Sequence, residues 1–147
     1  MVTGLYAEIH RILRTDSQLV ELMNLDPADV LRVEQRIQKR SQPLDLIKGN
    51  LPLISFYASR KGKISRENDL VYHSFIKFNT YTANNVDLAL KISKRIVELF
   101  RNVISPFKNV ENFETTLYKE HETPILMSDV YCFTTVLHFS LSLDGEC

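Results

Sequence analysis

Glycine is scarce, four residues in 147, and no GxGxxG, GxxxxGKS/T or GxSxG run is present. Without such a loop the backbone cannot approach a phosphate closely, so nucleotide hydrolysis and hydride transfer fall away. Cysteine is scarcer, two residues. Cys132, inside an apolar alternating run, and Cys147 form neither a CxxC nor a disulfide framework, and they read as free thiols of a reducing cytoplasm. Charge of one sign is also missing, because 18 Lys plus Arg stand against 18 Asp plus Glu. That balance argues against a protein whose main task is gripping phosphate backbones, which takes a surplus of cations. No apolar run approaches the ~20 residues a membrane span needs. The opening MVTGLYAEIH has no signal-peptide pattern, so nothing directs the chain to a membrane or out of the cell.

The histidines exclude another class. His10, His73, His121 and His138 fall in four different elements, none with a ligand spacing such as HxxxH or HxxC. Glu120-His121-Glu122 begins like a zinc helix, but Pro124 and Ile125 stand where HExxH needs a helix and a second histidine. Neither a metal nor any other cofactor is expected. Cys132 and His138 share a strand face but lie about 20 Å apart, too far for a nucleophile dyad.

What is present is an ordinary globular composition, 44% hydrophobic and 24% charged. A chain of this size hides roughly two thirds of its unfolded surface, enough for a core without staples. A single domain over residues 1–147 is expected, with a helical segment about 3–41 and a core about 52–143. Leu5, Ile9, Ile12 and Leu13 recur at helical spacing. Thr15, Asp16 and Ser17 offer caps for a second helix, Gln18 to Leu25, and Asp26-Pro27 repeats the device before a charged third stretch, Ala28 to Lys39. Pro43 and Gly49-Asn50 break the chain.

Strands then alternate with one long helix. Leu53 to Ser59 and Leu70 to Tyr81 alternate at period two and are separated by the charged run RKGKISREND. On the second strand Ser74, Ile76 and Phe78 share a face, with His73, Phe75, Lys77 and Asn79 opposite. Asn84 and Asn85 cap a helix from Val86 to Ile104 whose Ala89, Ile92, Ser93, Ile96, Leu99, Phe100 and Val103 form one stripe. Ser105-Pro106 ends it. Two more strands follow, about Asn112 to Glu120 and Asp129 to Leu143, around the breaker HETP. The pattern predicts an α+β fold: an antiparallel sheet of about four strands in two hairpins, the helix on one face, and the other face partly bare. A last strand of about 15 residues would span about 50 Å, so either a bulge breaks it or it projects onto another subunit.

Arg60, Lys61, Lys63 and Arg66 form a basic cluster at the tip of the first hairpin, suited either to solvent or to an acidic partner surface. Arg36, Lys39 and Arg40 make a second basic run, read as a solvated helix end favoured by the helix dipole.

Taken together, LYAEIHRILRTDSQLVELM, the proline-led strand LPLISFYASR, the passage FIKFNTYTANNVDLALKISKRIVELF and the final VYCFTTVLHFSLSL resemble a known family. It is that of the tail terminator, or tail-completion, proteins of tailed bacteriophages and prophages. The match is in the order and spacing of elements across most of the chain, and the charged insertion Asp26 to Asp45 departs from the commonest pattern. The resemblance implies a non-enzymatic virion protein, made in the bacterial host cytoplasm and located at the head-proximal end of the tail. There it would form a homohexameric ring that ends tail polymerisation and provides the head-tail joining surface. Its partners would be copies of itself, the tail-tube protein and a head connector or head-completion protein. DNA would only pass through the lumen, and no membrane is involved. On this reading Arg60, Lys61, Lys63 and Arg66 contact the tail tube. Two other roles fit the same elements: another neck protein, such as a head-closure or connector component, and a small nucleic-acid-binding module. A small enzyme would have to assemble its site from residues such as His73, His138 or Glu114.

Overall fold

The computed structural model describes residues 2–40, 47, 49–58, 63–64, 71–101 and 112–142. Helix α1 spans Val2–Thr15, and its Leu5, Ile9, Ile12 and Leu13 are all buried, as the spacing requires. Helix α2, Ser17–Leu22, starts on Asp16, whose carboxylate accepts the Leu19 N–H at 2.9 Å. It stops three residues before the expected Leu25. Asn24 takes a left-handed φ of 54°, and the amides of Asn24 and Leu25 turn back onto the carbonyls of Glu21 and Val20. That is a Schellman ending, with asparagine in place of the usual glycine.

Helix α3, Val30–Arg36, is shorter than the expected stretch Ala28 to Lys39 at both ends. Asp29 is its cap, accepting the Arg32 N–H. Asp26 instead closes a local turn onto the Ala28 N–H. After Arg36 the chain becomes strand β1, Ile37–Gln38.

The sheet contains β1, β2 (Leu53–Ala58), β3 (Lys63–Ile64), β4 (Val71–Thr82), β5 (Asn112–Glu122) and β6 (Tyr131–Ser142). Its order is β1-β2-β4-β6-β5, with β3 also paired to β4. The two hairpins are antiparallel and join through β4 and β6, which pair in unbroken register from Val71↔Ser142 to Thr82↔Tyr131. Two short strands add to the expected four: β3, inside the stretch expected as a loop, and β1, parallel to β2, which makes the sheet mixed. The irregularities expected of the long last strand lie in its neighbour: β5 shifts register between Asn112 and Glu114 and between Leu117 and Lys119, while β6 stays continuous against β4.

Helix α4, Val86–Arg101, is capped by Asn85, which accepts the Leu88 N–H at 3.1 Å. The remainder of the expected helix, 102–104, and the Ser105-Pro106 stop lie outside the described residues. Ala89, Ile92, Ser93, Ile96 and Phe100 are its buried face. Ile54, Phe56, Ile76, Phe78, Leu137 and Phe139 meet that face from the sheet, and α1 and α2 join the same cluster. Arg95 on α4 holds Asp16 through two hydrogen bonds of 2.9 and 2.7 Å, pinning the start of α2 to the long helix. This contact with Arg95 keeps the Asp16 carboxyl below the usual carboxylate range.

His10 is buried at 3% exposure with Nε2 3.1 Å from the Ile37 carbonyl oxygen. Burial, the largest effect, holds its pKa below the ordinary 6.5, although Glu34 and the Ile37 carbonyl pull the other way. A histidine depressed in the folded state is protonated first in the unfolded chain, so its contribution falls as pH drops below about 6.5. Urea midpoints should therefore decline between pH 7.5 and pH 5, and less steeply in His10→Gln, which keeps a donor for Ile37 without a proton equilibrium. Parallel pH profiles for the two proteins would remove His10 from the account.

Candidate functional site on the open sheet face

The side chains opposite α4 build the candidate site. Tyr57 of β2, Lys77, Asn79 and Tyr81 of β4, Cys132 and Thr134 of β6 and His121 of β5 line a cavity of about 270 Å³. Period-two alternation brings them together, because residues directly across antiparallel strands face the same way. Asn79 is paired with Ser55 on one side and Thr134 on the other, and Thr134 with His121. One end of the face is closed by a small apolar cluster of Ile47, Leu53, Tyr81 and Cys132, against which Leu51, Ile125, Met127 and Val130 pack.

A hydrogen-bonded row crosses the cavity floor. The Thr134 hydroxyl donates to Asn79 Oδ1 at 2.7 Å and meets the Thr123 hydroxyl on its other side. Lys77 places its ammonium over the Tyr57 ring, 5.8 Å from the centroid. Burial pushes the Cys132 thiol up to about 11 and the Tyr81 phenol up to about 12. Both stay protonated near neutral pH, so Cys132 stands here as an apolar wall and not as a thiolate.

Farther along the same face, His73 Nδ1 and His138 Nε2 are 2.9 Å apart, with their rings stacked at 5.0 Å. Phe75 stacks on His138 and meets Tyr118 edge-on. The sequence placed these histidines in separate elements. Their meeting follows from the β4–β6 register, which pairs His73 with Ser140 and Phe75 with His138, so the two imidazoles are diagonal neighbours. No third His, Cys, Asp or Glu joins them in a metal-holding group among the described residues. The Glu114 side chain lies outside what the structure describes.

Of the basic cluster, Arg60, Lys61 and Arg66 lie outside the described residues. Lys63 begins β3 and pairs with His73, so the first hairpin continues as a ladder past the end of β2. Arg36, expected on a solvated helix end, is buried instead at 5% exposure. Its guanidinium donates to the carbonyls of Pro52 at 2.7 Å and Met23 at 2.6 Å. The helical end it occupies packs against β2, so its donors reach backbone acceptors and not water. Cys147 is outside the described residues, while Cys132 is a free, buried cysteine. No helix among the described residues is long and apolar enough to cross a membrane.

These features define an α+β chain whose helices cover one face of a mixed sheet and leave a polar, aromatic face open on the other. No protein-family profile matches the chain, and no curated protein matches it by sequence. Its fold is similar to that of a chain in the virion of a native gene transfer agent (GTA) particle. The TM-score is 0.65 at 12% identity, over 96% of this chain and 97% of that chain.

Proposed function

We propose that this protein is a structural component of a phage-like virion, and that it caps the head-proximal end of a tail tube as a homohexameric ring. The observation that carries this reading is the fold likeness to a virion chain, which runs nearly end to end in both chains. Its location would be the tail end facing the head, and its partners the tube protein and the head connector. No catalysis is assigned to it.

Two features support assembly on physical grounds. A closed ring of identical subunits needs two different patches on each copy, related by a fixed rotation. Strand β5 ends the sheet, and Tyr118, Lys119, Glu120, His121 and Glu122 along it are exposed. The opposite edge is blunted: β1 covers only Ile54 and Ser55, and the Ala58 N–H donates to the Tyr6 hydroxyl. The two edges are thus chemically unlike, which suits a heterologous contact. A self-sufficient ring should bury on the order of 800 Å² per patch.

Light scattering on a sizing column, with negative-stain images of the same peak, tests the ring. The expected mass is six times the chain's 17.1 kDa, in annular particles. A monomer at every concentration, still monomeric after incubation with tail tubes, would refute it.

In the same reading, Arg60, Lys61, Lys63 and Arg66 contact the last ring of the tube. The sequence reads the cluster as a hairpin tip, and of the four only Lys63 lies in a described element, the two-residue β3; changing all four to serine should leave the fold intact. Joining of capped tails to heads should fall. Unchanged yield of joined particles would remove the hairpin from the contact.

A nucleic-acid-binding module remains as a second reading because Phe75, Tyr118 and His138 cluster on the open face, where bases could stack. A salt-sensitive mobility shift of labelled RNA or DNA would favour it, and none is expected.

A further inference from the structure

We propose that the tip of α3, carrying Val30 and Leu31, seats in the groove between α4 and β5 of a second copy of this chain. The inference deepens the ring reading by naming a contact between its subunits, and it rests on that reading only for the number of copies.

The plug is a run of apolar groups standing in water. Val30 and Leu31 are 69% and 71% exposed, and Pro27 and Ala28 just before them are exposed as well. An isolated exposed leucine needs no explanation, but a contiguous apolar tip does. Val33 takes the inward place on the same helix and joins the core cluster that α4 covers. Leu31 and Val33 lie about 200° apart around a helix of 3.6 residues per turn, so no rotation of α3 can hide Leu31 without exposing Val33.

The socket lies on the same side of the sheet, at its other edge. Helix α4 rests on β4 and β6 and reaches β5, but leaves a groove of about 380 Å³ whose walls include Leu90, Val97, Leu117 and Phe133. None of the four is fully buried.

Charge agrees with shape. Lys94 and Arg101 stand two turns apart on the α4 rim, and neither is ion-paired among the described residues. Glu98 between them is engaged with Arg95 at 3.6 Å. On the plug, Asp26 and Asp29 are exposed, and each accepts a backbone N–H through one carboxylate oxygen. The other oxygen is left for a cation. The pairing of signs extends to Arg32 and Glu120, exposed on the plug and on the β5 rim.

The occupant follows from where the two patches lie. Helix α3 packs on β1 and β2, and the order β1-β2-β4-β6-β5 puts four strand spacings, about 19 Å, between β1 and β5. The plug cannot reach its own groove, so a match between them joins different copies. Because plug and socket differ, each copy uses one of each, the head-to-tail contact that builds rings and filaments. A foreign partner would explain one patch and leave the other bare.

The test uses the full chain with Cys147→Ser, which leaves the buried Cys132 as the one native thiol. Under mild oxidation with diamide, Leu31→Cys and Leu90→Cys should each stay monomeric on a non-reducing gel. Mixed, they should form dimers, and a chain carrying both should give a ladder. Leu31→Asp and Leu90→Asp, made separately, should each weaken self-association at least tenfold in light scattering, with an unchanged melting temperature. A ladder closing at six supports both the contact and the ring, and one closing at another number supports the contact while overturning the hexamer. No mixed cross-link at any concentration, or equal cross-linking of either variant alone, would overturn the contact, and six-chain particles in that case would leave the ring standing. Unchanged self-association in both aspartate variants would assign the two patches to other proteins and overturn it too.

Discussion

Replacing Phe78 with alanine is expected to cost about 3–5 kcal/mol, the range for deleting a fully buried aromatic side chain. Phe78 has no exposed surface and is the middle member of a row of rings. Phe56 stacks on one side at 5.8 Å and Phe100 on the other at 5.7 Å. Tyr6 meets Phe56 edge-on at 5.5 Å, and Phe139 meets Phe100 edge-on at 5.8 Å. The row therefore runs from α1 through β2, β4 and α4 to β6, and its centre cannot be refilled without moving several elements. Each lost ring pair adds about 0.5–1.5 kcal/mol beyond area burial. Against a typical total of about 5–15 kcal/mol, a loss of that size is a large fraction of the whole stability. Phe78→Leu, which keeps most of the volume, should lose clearly less, and Tyr118→Ala on the half-exposed edge less than about 1 kcal/mol. Denaturant melts of the three would decide it. A loss below about 1.5 kcal/mol for Phe78→Ala would mean that the row is not the centre of the core.

Arg36→Met is expected to be the next most damaging change, by about 2–3 kcal/mol. The guanidinium is the only described link from α3 to both the Met23 and Pro52 carbonyls, through one bond to each. Burial lowers the pKa of Arg36, with nearby Arg32 adding to the effect, and no carboxylate pairs with it among the described residues. Hydrogen bonds to a charged group are worth about 1.5–3 kcal/mol, and an unpaired buried carbonyl costs about 1–3 kcal/mol. Methionine would avoid desolvating a cation, which offsets part of that loss. Lysine keeps the charge but has a single nitrogen, so Arg36→Lys should fall between wild type and methionine. Amide exchange at Ile37 and Gln38 should accelerate in both variants, because β1 has only two residues and depends on its neighbours. A methionine variant as stable as wild type, with β1 still protected, would show that packing alone holds this corner.

Arg36 also illustrates where the sequence stops being informative. Its setting, at the end of a charged stretch, reads as solvated, and nothing local distinguishes it from Lys39 or Arg40, which are exposed. Its burial depends on Met23 and Pro52, thirteen residues before and sixteen after it. The same holds for β1. Two residues are too few to carry a periodic signal, and Ile37 becomes a strand because His10 and β2 offer it partners. The premature end of α2 is a milder case: asparagine is a residue type that often stops helices, but the left-handed conformation of Asn24 has to win over one more helical turn.

The candidate site divides in the same way. Alternation within β4 is enough to put Lys77 and Asn79 on one face of that strand, and alternation within β6 is enough to put Thr134 and His138 together on one face of theirs. That the two are a single open face, with His121 and Tyr57 at its borders, requires the register of β4 against β6, of β5 against β6 and of β2 against β4.

Helices α1 and α4, the four long strands, and the side of each strand that turns inward thus follow from the sequence without further help. Those properties are written in local periodicity, and each residue's hydrophobicity acts on its own segment. The mixed edge at β1, the bulges in β5, the buried Arg36 and the cavity between Lys77 and Asn79 arise only when the elements come together. Each of these depends on which distant backbone group comes within about 3 Å, and strand register, unlike periodicity, is a property of pairs of segments.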